Sequence, residues 1–573
     1  MSESGGAHPA GPARQDLAAA GSVARGNGLL YALLLLLVWG LTAPFHGMWQ
    51  DDATLLAIAL ARKGLGLAGL FAPTSSPLRR LYALPFALAL ATPHPVLALQ
   101  AIYGACWLGQ ALAAGWIAAT LLPQHPLIRL LVVALTLTAT SDYLTDNLTA
   151  VGYAFGVLTL LLAVGCGLSY LRHGGAGRLL GAAAALAASL WTIDVGVPAL
   201  VFLPLLLAWL AHGTPSRRRR LPALLLVWGA IVIPVALLEW RFLHDPQGYA
   251  AVALRHLPPG QLASRGGALW WENFAPWRWA FAHPVWYAEP STGLPAGAMA
   301  CGAALAVAAL ALRLRQLPPD PPPPAARALG LAALFALMAL AANAAYAALQ
   351  LADIHYRTHM TSRVWASLAL GIVAGWAAAR WPRHRLAVLA VPALFVGFGV
   401  WGGLERQDFL LSTWHRHQRE LLSIVSSAPA ISPGTGIILR GDSAPAAYLA
   451  TQADYLTRAW MSLLYDRPRL HCLRLASSRG TGCQPTARGL DCWHENDAAC
   501  FAAHTCAPDH FDYDRLILMD LDPLAGVYRL RPSLAGDPLA GAAGTAAAAY
   551  RPLERIRAGA LSTIQRRLLL IYP

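Results

Sequence analysis

Long apolar runs alternate with short polar connections over the first four hundred residues. The runs predict eleven helices, at about 28–45, 96–121, 127–141, 147–170, 179–193, 195–212, 221–240, 296–313, 328–350, 364–380 and 386–404. Several reach the roughly 20 residues that a helix needs to cross the hydrocarbon core of a bilayer. Two shorter patterns stand in the connection 46–95. Residues 52–70 are amphipathic. An apolar run at 81–92 follows the Pro73-Thr74-Ser75-Ser76-Pro77 turn and stops at Pro93-His94-Pro95. At about a dozen residues it is too short to cross, so both stretches are expected to lie along the membrane surface. From 405 the pattern becomes that of mixed soluble sequence. Strands are expected at 436–439 and 515–519 and a helix at 444–464, together a small α/β domain.

Composition supports this division. The chain is 57% hydrophobic and only 13% charged, about half the charged share of an ordinary soluble protein. The expected fold class is an α-helical polytopic membrane protein of about eleven spans with a C-terminal extracytoplasmic α/β domain. Residues 1–27 are Gly-, Ala- and Pro-rich and read as a disordered cytoplasmic N-terminus. Residues 28–404 form the transmembrane domain with external loops 46–95 and 242–295, and 405–573 form the soluble domain. The first apolar run is not a cleavable signal peptide, because its flank is long and no small-x-small cleavage site follows.

Orientation follows from arginine. The connections around 173–178, 217–220, 313–327 and 380–385 are basic and alternate correctly with the spans, which places them and the N-terminus inside. An odd number of spans then puts 405–573 outside. The net charge of +14 is therefore largely a topology signal, and the soluble segment is nearly balanced, with 18 basic and 16 acidic residues. No nucleic-acid footprint is present. A single lysine, Lys63, amid abundant Ala, Arg and Gly points to a bacterial inner membrane protein. Cys106, Cys166 and Cys301 fall in spans and read as packing residues. Cys472, Cys483, Cys492, Cys500 and Cys506 crowd into the external segment and read as disulfide formers of undetermined connectivity.

Residues 1–404 contain 13 Asp and Glu, and ten of them map to the face opposite the arginine loops. Carboxylates near a bilayer are costly and mark function. Asp51-Asp52 follows the first span directly, and a helix cap needs only one acid. Asp142 and Asp146 occupy the connection between spans 3 and 4, where either could cap span 4. Asp194 lies after span 5. Asp353, His355, Arg357 and His359, with Arg363, connect spans 9 and 10. The loop 242–295 adds Trp270, Trp271, Glu272, Trp277, Trp279, Trp286 and Tyr287, an aromatic belt or a platform for a sugar ring or polyprenyl chain. Such a set can do sugar chemistry. A carboxylate can take the proton of an attacking hydroxyl, and Arg or His can stabilise a departing phosphate. No P-loop, GxSxG or HExxH signature occurs.

The Trp49-Gln50-Asp51-Asp52-Ala53-Thr54 motif, the surface helices behind it, the Pro77-Leu78-Arg79-Arg80-Leu81-Tyr82 entry and Leu144-Thr145-Asp146-Asn147 together resemble the GT-C superfamily of polyprenyl-phosphate-sugar-dependent glycosyltransferases. The likeness is greatest to the branch of protein O-mannosyltransferases and the lipid A aminoarabinose transferase. It covers 28–404 in topology and is confined to 46–90 and 140–155 in motif. It implies transfer of a hexosyl or pentosyl unit from a polyprenyl-phosphate carrier to a glycan, lipid or protein acceptor of the cell envelope. Asp51 or Asp52 would be the general base and Asp146 the second catalytic acid, with Asp142 competing for that place. Asp142, Asp194, His355, Arg357, His359, Arg363, Trp271 and Glu272 would bind substrate. Mg²⁺ or Mn²⁺, if used, would sit on Asp52 and Asp146. The chain departs from the family in its bare Asp-Asp and in Thr192-Ile193-Asp194, where many relatives carry a lysine. Two other readings share parts of the pattern: an O-antigen-ligase or polymerase type of enzyme with a diphosphate-linked donor, and a lipid or glycan transporter.

Overall fold

The computed structural model describes residues 26–45, 47, 52–62, 80–139, 150–192, 202–212, 214–243, 258–275, 277, 294–317, 321–347, 359–441, 454–467, 470–475, 482–493, 508–540 and 548–569. The chain is a polytopic helical membrane protein with a sheet-containing C-terminal region. Its first helix, α1, is Gly26–Phe45. There follow α2 Asp52–Arg62, α3 Leu84–Leu90, α4 Pro95–Leu121, α5 Pro126–Thr138, α6 Ala150–His173, α7 Ala176–Leu190, α8 Leu203–Ala211, α9 Pro215–Leu243, α10 Pro259–Glu272, α11 Ala296–Gln316, α12 Ala325–Ala347, α13 His359–Arg380 and α14 Arg385–Ser427. Among the described residues, α1, α4, α6, α9, α11, α12, α13 and α14 are long and apolar enough to cross a membrane, while α5 and α7 are shorter apolar helices. Each of the eleven expected runs contains a helix, and both expected surface stretches contain one, α2 and α3.

Two boundaries differ from expectation in ways that matter. Helix α13 begins at His359, so His359 and Arg363 are helical residues and not parts of a connection. Their spacing of four puts them on one helix face. The last span does not stop near 404. Helix α14 runs 43 residues, about 65 Å at 1.5 Å per residue, roughly twice the hydrocarbon thickness. Its second half therefore stands beyond the bilayer as a strut, burying Leu410, Trp414, His417, Leu421 and Ile424 along one stripe. Charges at Arg406, Asp408 and Glu420 lower the hydropathy there without interrupting the helix.

The arginine-bearing ends gather at one end of the bundle, where guanidinium groups donate to helix-terminal carbonyls. Arg220 Nη1 reaches Leu171 O at 3.1 Å and Arg327 Nη2 reaches Leu121 O at 2.8 Å. Arg385 Nη2 reaches Leu314 O and Leu317 O. Final-turn carbonyls lack intrahelical partners and carry the negative end of the helix dipole, so a cation satisfies both needs.

At the other end, α13 packs against α12 and α5, and α14 packs against α11, α5 and α1. Glycine permits the closest of these approaches. A Cβ on Gly399 would fall 1.9 Å from Thr138 O, at the last turn of α5, and one on Gly403 would fall 3.0 Å from Val38 Cα. Gly399→Ala is therefore expected to push α14 off α5 at a cost of about 1–3 kcal/mol. Thermal unfolding in detergent should show a midpoint several degrees lower. Gly297→Ala, whose added methyl meets nothing within 4 Å, should leave it unchanged.

Beyond α14 the chain forms three small sheets. Strand β1 (Ala430–Ile431) pairs antiparallel with β9 (Ile556–Arg557), which brings the chain's end back to the foot of the strut. The largest sheet has the order β3-β2-β7-β8, with β2 (Gly436–Arg440) parallel to β3 (Cys472–Leu475) and β7 (Leu516–Asp522), and β8 (Val527–Leu530) antiparallel to β7. Helix α15 (Asp454–Leu464) makes the β2-to-β3 crossover and packs on α2. Both expected strands are present. Residues 444–453 of the expected helix lie outside the described residues.

A third sheet, β4 (Gly482–Pro485), β5 (Gly489–Trp493) and β6 (Asp509–Asp512), is an antiparallel meander. Within it the Cys483–Cys492 disulfide joins register partners of β4 and β5. Cys472 is buried in β3, and Cys500 and Cys506 lie outside the described residues. On β6, His510 Nδ1 sits 2.5 Å from Asp491 and Nε2 3.3 Å from Asp512. The hydrogen bond to Asp491, helped by the charges of Asp491 and Asp512, raises the imidazole above its ordinary value against a smaller effect of burial. A raised folded-state value means that the stabilisation is complete below about pH 6.5, the unfolded value. It is lost as pH rises through the folded-state value. The unfolding midpoint of wild type over His510→Gln should be larger at pH 6 than at pH 8.5. The effect should be small, because the pair is exposed.

Candidate functional site

The described part of the site is built where α13 begins, at the end of the bundle opposite the arginine caps. Helix α10 brings Glu272 to it. Trp270 Nε1 donates to Ala336 O of α12 at 3.0 Å and so anchors α10. His359 Nε2 then lies 3.0 Å from Glu272 Oε2, with the imidazole fully buried and the carboxylate 12% exposed. A carboxylate only accepts, so Nε2 carries the proton of that bond. One turn on, Ser362 Oγ donates to Asn273 Oδ1 at 3.0 Å. Helix α13 is thereby fixed in rotation against α10.

Arg363 lies on the same face as His359 and is 2% exposed. Its Nη1 donates to Ala139 O at 3.2 Å and its Nη2 to Gln110 Oε1 at 3.1 Å. Its Cζ stands 4.7 Å from the Trp107 ring centre, within cation–π range. Gln110 is oriented by donating to Ala154 O at 2.8 Å, and Trp107 by donating to Leu137 O at 3.1 Å. These three contacts fix the direction of the fork. Ala139 is the residue just after α5, and the connection 140–149 with Asp142 and Asp146 starts at the next residue. Gly399, Trp107 and Arg363 thus all hold the last turn from which that acidic connection departs.

A separate clamp holds the end of α1, from which the 46–95 connection departs. Helix α1 widens into a π turn at Leu36–Gly40, which disturbs the regular carbonyl pairing. Gln407 of α14 bridges the place. Its Nε2 donates to Leu37 O at 2.8 Å, and its Oε1 accepts from Thr42 N at 3.1 Å. Nearby, Asp408 Oδ1 accepts from Leu294 N at 2.9 Å. Helix α2 opens at Asp52 and is held by buried Ala53, Leu56 and Ala59. At the far side, Leu81 N donates to Trp191 O, and Arg80 stands over the Trp191 ring at 5.0 Å. This places the entry to α3 beside the end of α7.

Of the expected site residues, the structure brings Glu272, His359 and Arg363 together. Trp271 turns outward, half-exposed, with its ring 6.4 Å from that of Trp277. Asp51, Asp142, Asp146, Asp194, Asp353, His355 and Arg357 lie outside the described residues, and of Asp52 the backbone alone is described. No group of three His, Cys, Asp or Glu arranged to hold a metal occurs among the described residues. Gln110, Trp107, Ser362, Asn273 and Gln407 belong to no sequence motif. Neutral polar residues inside apolar runs are the signal that would have found Gln110, since buried polar groups in a bilayer seek partners. Around the start of α13, Thr361 Oγ1, Trp365 Nε1 and both side-chain atoms of Asn343 on α12 are buried without partners among the described residues. That is unused hydrogen-bonding capacity suited to a polar ligand or water.

No family model matches the chain, and no curated protein matches it. Among solved structures it is similar to the crystal structure of ArnT from Cupriavidus metallidurans in the apo state. The similarity spans 88% of this chain and 94% of that one, at 14% identity and a TM-score of 0.39. It is similar also to ArnT of the same organism bound to undecaprenyl phosphate, over 78% of this chain and 89% of that one, at 14% identity and a TM-score of 0.35.

Proposed function

We propose that this chain is a GT-C-type glycosyltransferase. It moves a hexosyl or pentosyl unit from a polyprenyl-phosphate carrier to a glycan, lipid or protein acceptor at the outer face of the bacterial inner membrane. The observation that carries the reading is the buried Arg363 guanidinium at the start of α13, oriented by Trp107, Gln110 and Ala139. A helix N-terminus and a fixed arginine fork both favour an anion of phosphate geometry. The acidic motifs at 51–52 and 142–146 supply the complementary chemistry, and one of them departs from the turn that Arg363 caps.

In this reading the acceptor oxygen attacks the anomeric carbon as the bond from that carbon to the phosphate oxygen breaks, with inversion. The acceptor's proton passes to Asp51 or Asp52, and polyprenyl phosphate leaves with the bonding pair. Arg363, with Arg357 and His355, stabilises the charge that develops on the phosphate. His359, held by Glu272, keeps α13 in register. Asp146 positions the acceptor; a divalent cation, Mg²⁺ or Mn²⁺, if used, would be held by Asp52 and Asp146 and would supply positive charge to the departing phosphate. Asp142 and Asp194 contact the sugar, and Trp271 offers it a stacking face. The bundle sits with its arginine-capped end toward the cytoplasm and residues 405–573 outside.

The test is consumption of labelled donor by purified protein in nanodiscs. A monophosphate-linked sugar should be consumed with release of polyprenyl phosphate, while its diphosphate-linked counterpart persists. Consumption of the diphosphate donor alone would contradict the proposal.

A further inference from the structure

At the arginine-capped end of the bundle, guanidinium groups from three helices converge. Arg172, in the last turn of α6, is half-buried and makes no hydrogen bond or ion pair among the described residues. The carbonyl of its neighbour Leu171 is already taken by Arg220. Arg217 of α9 and Arg327 of α12 stand close enough to act on Arg172 as like charges. Both are held from behind. Arg217 Nη1 donates to Leu210 O, at the end of α8, at 3.3 Å, and Arg327 Nη2 donates to Leu121 O at 2.8 Å. A carbonyl satisfies part of a guanidinium fork and cancels none of its charge. None of the three arginines pairs with a carboxylate among the described residues. Arginines that only mark orientation can lie anywhere along a connection. Converging on one another costs repulsion, which a shared anion relieves.

The same place carries an apolar wall that faces the bilayer. Trp209, in the last turn of α8, lies against α12, where a Cβ on Gly330 would fall 3.1 Å from its ring. Arg327 stands one turn before Gly330 on α12, and Arg217 is bound to the carbonyl of the residue after Trp209. The ring is nevertheless 39% exposed, and Leu205, one turn deeper on the same face of α8, is 58% exposed. Arginine at the helix ends, tryptophan at the interface and leucine below it follow the depth order of a lipid's phosphate, glycerol and acyl chain. A phosphate suits the arginine fork. A soluble phosphate would gain nothing from Trp209 and Leu205, so the pattern favours a lipid.

We infer that Arg172, Arg217 and Arg327, with Trp209, form a site between helices for the phosphate head group of an anionic glycerophospholipid. The site lies at the end of the bundle opposite Arg363 and does not depend on the transfer chemistry. Delipidated full-length protein in a neutral detergent is titrated with phosphatidylglycerol, phosphatidylcholine, polyprenyl monophosphate or inorganic phosphate, and bound lipid is counted by native mass spectrometry. Wild type should hold phosphatidylglycerol at least about tenfold more tightly than phosphatidylcholine, and Arg172→Gln, which breaks no hydrogen bond, should weaken that binding about fivefold. Arg172→Gln/Arg217→Gln should weaken it more than about tenfold. Arg315→Gln/Arg383→Gln removes the same charge from exposed positions at the same end, and binding should stay within about twofold of wild type, beyond the screening distance of the cluster. An equal fall in that control would reduce the effect to diffuse charge and overturn the inference. Equal binding of the two phospholipids, tighter binding of polyprenyl monophosphate, or displacement of phosphatidylglycerol by millimolar inorganic phosphate would do the same. Should the double variant fail to fold, Arg172→Gln alone decides, and unchanged binding by it would overturn the inference.

Discussion

Arg363→Ala should lower transfer by about 10²–10³-fold, the usual consequence of removing one preorganised electrostatic stabiliser. The argument rests on how the side chain is held. A guanidinium that is 2% exposed, stacked on Trp107 and hydrogen-bonded to Gln110 and Ala139, has one orientation, so it needs no reorganisation when charge appears on a leaving phosphate. Arg363→Lys keeps the charge but loses the planar fork and most of the stacking, and should recover little of the rate. Loss of the side chain also strips Ala139 O and Gln110 Oε1 of a donor, so part of the effect could arise from movement of α5. Rates are therefore read with the unfolding midpoint and with KM. An electrostatic role lowers kcat in both variants, whereas a purely structural one would spare the lysine form at wild-type midpoint.

The second large effect concerns the connection after α1. Of Asp51→Asn and Asp52→Asn, one should lower transfer by about 10²–10⁴-fold, the range for loss of a general base, and the other should stay within a few fold. Adjacent carboxylates repel, and the attacking hydroxyl has a single proton to give. Helix α2 starts at Asp52 and is fixed along its length by buried Ala53, Leu56 and Ala59, and one proton needs one base. Rates should be measured with the same nanodisc preparation, and lipid flipping should be followed in parallel. Full activity in both variants would remove the loop from the chemistry. Loss of flipping instead of transfer would make the protein a transporter.

The bundle was legible because a bilayer forces its rule on sequence. Every apolar run long enough to cross became a helix, and the arginines that mark one end are those found on helix-terminal carbonyls. The pieces that escaped have physical reasons. Hydropathy averages conceal Gln110 and Gln407, single polar residues whose effect depends on which carbonyl they face. His359 and Arg363 read as connection because charge is discounted in a span, yet a buried pair and a stacked guanidinium carry the helix five residues further out. Charges at Arg406, Asp408 and Glu420 suggested soluble sequence, although an amphipathic stripe lets α14 continue to Ser427. The strands at Gly436–Arg440 and Leu516–Asp522 were visible as β-rich runs. Their parallel pairing across a long crossover was not, because register between distant segments leaves no local trace.

The most direct measurement is an electron-microscopy structure of the protein in nanodiscs containing polyprenyl monophosphate. The account predicts head-group density within hydrogen-bonding reach of Arg363, at the start of α13, with Asp51 or Asp52 and Asp146 facing it. Polyprenyl head-group density at the arginine-capped end of the bundle, or those aspartates turned tens of ångströms away from Arg363, would contradict it.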